Sequence, residues 1–191
     1  MLASKKTPGK EIERKSGTHT NRPLEGLVIS DELNLGRIYA KMGKNPPDSF
    51  KPVTVREMKE ALLRAERDES AGISHALVTR DEESGIGLHV AAVETGVNAH
   101  VHLVGDEDYV FLSGEGTMWL GKVKLEGGKP VVGNWEPHEV RPGMVLTVPG
   151  GYAHRLVNGK GPQNPVRIAF TCPDSHLDDS RDRKPVDNPP A

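Results

Sequence analysis

The sequence predicts an all-β domain, a barrel or sandwich of short strands with peripheral helix. Three observations carry this. From residue 73 onward, short runs of β-type residues follow one another, separated by Gly, Pro, Asn and Asp. Gly (21) and Pro (15) are frequent enough in 191 residues to favour many short elements joined by turns. Helical periodicity is clear in one segment, residues 54–69, and that segment lies before the strand-rich region.

In chain order, residues 1–22 are polar, basic and aperiodic (Lys5, Lys6, Lys10, Arg14, Lys15, Arg22), which reads as a flexible N-terminal arm. Residues 23–72 form an N-terminal extension. Leu27-Val28-Ile29 suits a short strand, and 44–48, with consecutive prolines, must be a loop. Thr54 and Glu57 have the spacing of a capping box, and Met58, Ala61, Leu62 and Ala65 recur at helical spacing, so a helix over 54–69 packs its apolar stripe on the outside of the β domain. Strands are expected at 73–80, 86–93, 98–104, 108–113, 116–124, 131–135, 144–148, 153–157 and 166–171, giving a β domain over 73–172. The tail, 173–191, is acidic and Pro-rich, and the sequence leaves open whether it drapes over the domain.

Composition excludes several classes of function. Apolar residues make up 35% and aromatics 4%, so the core is modest and built from Val, Leu, Ile and Ala. A net charge of −2 without a concentrated basic face argues against nucleic-acid binding. The single cysteine, Cys172, excludes an intramolecular disulfide framework and a cysteine-rich zinc site. The first ten residues have no apolar core of a secretory signal, and no apolar run is long enough to span a bilayer, so a soluble, cytoplasmic protein is expected, with no membrane partner. There is no Walker or G-x-G-x-x-G loop and no G-x-S-x-G elbow, so neither a nucleotide cofactor nor a serine nucleophile is indicated.

Two segments carry chemistry. The first is His100-Val101-His102, four residues, Glu107, six residues, Gly114. The second is Gly143, five residues, Pro149-Gly150-Gly151, two residues, His154, three residues, Asn158. On a strand, residues two apart face the same side, so His100 and His102 offer two imidazoles about 7 Å apart. Gly105 lets the chain turn, and Glu107 then brings a carboxylate beside them. Two imidazoles and a carboxylate on one face of a divalent ion leave coordination positions open, and His154 can add a fourth ligand after its Pro-Gly-Gly turn. A lone H-x-H pair is weak, since hydrogen-bonded histidines are common. The conjunction of both segments is what matters.

These segments resemble the paired motifs of the cupin superfamily, H-x-H-x(3,4)-E-x(6)-G and G-x(5)-P-x-G-x(2)-H-x(3)-N. One departure exists: Glu94 stands where the first motif usually opens with Gly, although Gly96 is near. The resemblance covers about 85–171. It implies a jelly-roll or Greek-key barrel, a homodimer, and one divalent metal held by His100, His102, Glu107 and His154. Fe, Mn or Ni are the expected ions, with Zn an alternative.

The resemblance implies no single reaction, because the fold hosts many. The leading expectation is an Fe(II)-type dioxygenase or oxidase acting on a small molecule. Alternatives are a redox-neutral isomerase, lyase or decarboxylase, and a non-catalytic metal-dependent binding protein. Tyr109 shares the face of Glu107 by strand parity and is the candidate catalytic residue, since a phenol can donate to a bound oxyanion; Phe111 shares that face as core. His75 and His89 could point inward, but surface placement is the more common fate. Trp119 and Arg167 are weaker substrate contacts, and Cys172 is expected to be buried and inert.

Overall fold

A computed structural model describes residues 22–23, 32–33, 53–82, 84–178 and 180–190. Most of the expected arm, the strand at 27–29 and the loop at 44–48 lie outside the described residues. The elements, in chain order, are β1 (Arg22–Pro23), β2 (Glu32–Leu33), β3 (Val53–Thr54), α1 (Val55–Leu62), β4 (Glu66–Asp68), β5 (Ile73–Asp81), β6 (Ile86–Val93), β7 (His100–His102), β8 (Glu107–Ser113), β9 (Gly116–Glu126), β10 (Lys129–Val140), β11 (Met144–Val148), β12 (Tyr152–Asn158), β13 (Val166–Pro173), a 3-10 turn at Asp174–Leu177, and β14 (Arg183–Pro185).

They form two facing antiparallel sheets. One has the order β1-β11-β8-β13-β6-β5-β4 and the other β10-β9-β12-β7-β14, with β2 and β3 paired separately. Strand parity explains the layers. Phe111, Leu146, Ile168 and Phe170 from the first sheet meet Met118, Leu120 and Leu156 from the second in the inner core. The alternate residues Leu88, Val90, Val110, Val145 and Ala169 face outward and are covered by Val53, Met58 and Ala61. The segment β3–α1 thus hides the outer face of the first sheet, as expected of an amphipathic helix.

The helix is shorter than the sequence suggests. Its N-terminus is as expected: Thr54 accepts from the Glu57 amide at 3.1 Å while Glu57 accepts from the Thr54 amide at 2.7 Å. It stops at Leu62, where the expectation ran to residue 69. Beyond Ala61 the apolar stripe fails, with Leu63 87% exposed. Residues Glu66–Asp68 instead pair with Ile73–His75 as an edge strand. That pairing also covers the start of β5.

The β9–β10 hairpin turns through Gly127 and Gly128, both with positive φ, between paired Glu126 and Lys129. Two consecutive positive φ values match a type I′ turn, which suits the strand twist and favours glycine. At the other side of the molecule, Arg183 on β14 bonds Asp68 on β4 at 2.7 Å. This ties the edge of one sheet to the edge of the other. Partial burial would raise the Asp68 pKa, but hydrogen bonds from Arg183, Ala71 and Ser70 outweigh it and hold the carboxyl well below the usual range. Among the described residues no helix is long and apolar enough to cross a membrane.

Candidate metal centre

The short strand β7 carries His100 and His102 on one face, and β12 places His154 directly opposite His100 in the ladder. The rings of these two are 4.3 Å apart between centroids, and those of His100 and His102 are 4.9 Å apart. Glu107, the first residue of β8, comes from the facing sheet and completes the group. One ligand-type atom from each of the four lies within 4.8 Å of every other. All four are buried, His154 at 1% and Glu107 at 4% exposure.

The turns explain this convergence. Gly150 packs on the loop after His102: a Cβ there would lie 2.7 Å from the Gly105 carbonyl oxygen, so a side chain is excluded. The Gly151 amide then donates to the His102 carbonyl at 2.7 Å. The two motifs thus lock to each other through backbone. Asn158 has a structural role: its side-chain amide donates to the carbonyls of Glu94 and Gly161, both at 2.8 Å, and of Asn164 at 3.1 Å. It fastens the turn at 94–96, where glutamate replaces the motif's usual opening glycine.

The electrostatics suit a cation. Burial would raise the Glu107 pKa, yet the imidazoles of His102 and His154 outweigh it and hold the carboxyl well below its ordinary value. Glu107 is therefore ionised at neutral pH. Burial first, and neighbouring histidines second, push His100 well down. Burial likewise lowers His102, so both rings are neutral. His100 donates Nδ1–H to the Asn98 carbonyl at 2.7 Å, which leaves its Nε2 lone pair for the cluster. Glu107 Oε2 lies 3.4 Å from His102 Nε2 and 3.1 Å from His154 Nε2. It has no hydrogen-bond partner among the described residues. A buried carboxylate oxygen without a hydrogen bond, faced by imidazole nitrogens, fits a divalent ion.

Tyr109 and Phe111 follow Glu107 on the inner face. The Tyr109 hydroxyl is 3.1 Å from His154 Nε2, and burial pushes its pKa well above the usual value, so the phenol keeps its proton. Phe111 is fully buried core. Cys172 is a buried free thiol, its pKa raised well above the usual value by burial. Trp119 and Arg167 stay away from the cluster. Trp119 alternates with the inward Met118 and Leu120, and Arg167 is exposed and donates to Ser113. His75 and His89 turn inward rather than to the surface, with ring centroids 5.7 Å apart.

Sequence reasoning missed the contribution of the tail. His176 stacks on His102, and its Nε2–H donates to the Val104 carbonyl at 2.7 Å. Asp182 accepts from the amides of Leu103 and Val104 at 2.9 and 3.3 Å. β14 then pairs along β7, setting Arg183 opposite His102 and Pro185 opposite His100. The only sequence signal was a histidine and several carboxylates in a polar tail, which a solvated segment would also show.

Two facing antiparallel sheets, with the paired histidine and glutamate motifs converging between them, give this chain the cupin type of fold, a double-stranded β-barrel. An L-ectoine synthase from Hyphomonas neptunium is 26% identical over 120 residues, 62% of this chain and 82% of that protein. Among solved structures, a protein with a double-stranded β-helix domain from Klebsiella pneumoniae is 15% identical with a TM-score of 0.48, over 75% of this chain and all (100%) of that one. The hydroquinone 1,2-dioxygenase PnpCD, solved with Cd2+ and 4-hydroxybenzonitrile, is 16% identical with a TM-score of 0.45, over 53% of this chain. The match spans 64% of that dioxygenase chain, less than two thirds of it. No protein-family profile matches the chain.

Proposed function

We propose that the chain is a metal-dependent enzyme acting on a small molecule, with His100, His102, Glu107 and His154 holding one divalent ion. The observation that carries this is the buried, ionised Glu107, whose Oε2 lacks a hydrogen bond and faces imidazole nitrogens at 3.1 and 3.4 Å. Fe, Mn or Ni suit three nitrogens and one carboxylate, and Zn is compatible. Such an ion would supply Lewis acidity toward a substrate oxygen.

The chain's own residues supply the rest. Glu107 gives the site its negative charge. The hydrogen bond from His100 to Asn98 fixes that ring's tautomer. Tyr109 keeps a proton on Oη at the edge of the cluster and can donate it to a substrate oxygen. Burial between the sheets excludes bulk water, which strengthens each of these interactions.

The reaction we favour is redox-neutral, an elimination, isomerisation or ring closure. A relative 26% identical over 120 residues is named as a synthase, and the match spans 82% of it. O2-dependent oxidation, which the motifs alone put first, is the second reading, for an iron-loaded protein. A non-catalytic binding protein is the third. Oxygen uptake by Fe(II)-loaded protein across a panel of small hydroxy and amino acids tests the choice. Turnover under anaerobic conditions supports the redox-neutral reading. Turnover that requires oxygen overturns it in favour of oxidation.

A further inference from the structure

His176 has one ring nitrogen engaged and the other bare. Its Nε2–H donates to the Val104 carbonyl at 2.7 Å, with Asp182 Oδ2 at 3.4 Å. This fixes the tautomer and leaves the lone pair on Nδ1. The residue is 1% exposed, and Nδ1 is buried without a hydrogen-bond partner among the described residues. A histidine kept only for packing gains nothing from a bare, desolvated lone pair. A ring that gives one N–H to a carbonyl beside a carboxylate, and keeps the other nitrogen free, has the arrangement of a metal ligand. His100 shows the same arrangement on the other side of His102.

Cys172 completes the picture. Strand β13 turns Ile168, Phe170 and Cys172 into the inner core. The 3-10 turn Asp174–Leu177 then folds His176 back toward the end of the strand. Cys172 is 1% exposed, and Glu107 lies near it. One ligand-type atom from each of Glu107, Cys172 and His176 lies within 4.8 Å of the others. Bonds of about 2.3 Å to sulfur and about 2.1 Å to nitrogen or oxygen need only a small contraction of that set around one ion.

We propose that Glu107, Cys172 and His176 form an alternative ligand set that captures a soft divalent ion, in competition with the four-residue set for Glu107. The proposal rests on the metal reading only through that shared carboxylate. Thiolate favours soft ions, while three imidazoles and a carboxylate suit Fe, Mn, Co or Ni. Charge supports the division. A thiolate and a carboxylate together cancel a divalent ion in a buried site, where an uncompensated charge is costly. Binding replaces the S–H bond with a sulfur–metal bond and releases the thiol proton to solvent. Borderline ions stay with the four-residue set, which offers them one more ligand. Glu107 is thus the point at which the protein sorts ions by softness.

The test adds Cd(II) to the reduced, full-length protein. It follows the ultraviolet thiolate-to-cadmium charge-transfer band and the cadmium NMR resonance, which moves downfield when sulfur binds. Wild type should show both signals, saturating at one equivalent. In Co(II)-loaded protein the visible Co(II) bands should fade as the thiolate band grows. His154→Ala, which breaks the four-residue set, should keep the thiolate band. Cys172→Ala should lose it and still bind Co(II), and Cys172→Ser serves if the Ala variant does not fold. His176→Phe keeps a ring on His102 but has no lone pair. It should weaken Cd(II) binding by about tenfold or more, the least that losing a group that orients a ligand costs, while Co(II) binding holds. A thiolate band without any Co(II) binding would support this proposal and strike the four-residue reading alone. No thiolate band in wild type would overturn the proposal, whatever Co(II) does. So would loss of the band in His154→Ala, undiminished Co(II) bands beside a full thiolate band, or wild-type Cd(II) affinity in His176→Phe.

Discussion

The imidazole of His176 lies flat on that of His102, with ring centroids 3.9 Å apart and planes 2° from parallel. His102 is thus gripped from two sides: β12 and the cluster within, and the C-terminal segment without. The grip is made by groups far apart in the chain. Asp182 reaches back 79 residues to the Leu103 amide, and Arg183 reaches back 115 to Asp68.

Removing that grip should loosen the metal centre while the barrel survives. Asp182→Ala strips an acceptor from the Leu103 and Val104 amides, costing about 1 kcal/mol of stability, the low end because both residues are exposed. His176→Ala removes the stacked ring. Each change should weaken metal binding by about 10–100-fold, the usual effect of losing a group that orients a ligand. Competition with a calibrated chelator measures this, and far-UV circular dichroism checks the fold. Wild-type affinity in both variants would show that the tail is a mere covering.

Acid should destabilise the protein in a window set by His89. Its pKa is near the ordinary 6.5 in the unfolded chain and about 4 when folded. Between those values the unfolded chain binds a proton that the folded chain refuses. The stability His89 permits is therefore full above about pH 6.5 and falls as pH drops toward 4 and below, by on the order of 3 kcal/mol in all. Depressed carboxylates such as Asp68 act lower, as pH falls past the usual carboxylate range. Urea midpoints at pH 7.5 and 5 should differ less for His89→Phe than for wild type. An equal drop in both would remove His89 from the account.

The cover on the outer face of the first sheet should matter for stability and not for metal. Met58 is 2% exposed among Val53, Leu88, Val90 and Val110. Met58→Ala should cost about 2–5 kcal/mol and leave metal stoichiometry at the wild-type value. Thermal melts and elemental analysis of the same sample check both halves.

Much of this architecture was legible because it is local. Residues 86–93 and 144–148 are short β-type runs flanked by turn residues, and the strands found there have those bounds. The four cluster residues could be read because strand parity and two rigid turns fix them. What could not be read is non-local. β4 is composed of Glu66, Arg67 and Asp68, with no apolar alternation. It owes its place to Asp68, which caps Ser70 and Ala71 and bonds Arg183. The inward turn of His75 and His89 was hidden because imidazoles suit either face, and only packing against Phe170 decides.

The central claim is that His100, His102, Glu107 and His154 hold one divalent ion, with Glu107 as a ligand rather than a free base. Titration with Co(II), read by its visible absorption, tests it without knowledge of the substrate. Wild type should bind one equivalent. His154→Ala should lose stoichiometric binding, and Glu107→Gln should bind more weakly with an altered band. Wild-type affinity and an unchanged band in Glu107→Gln, or a full equivalent bound by His154→Ala, would contradict the claim.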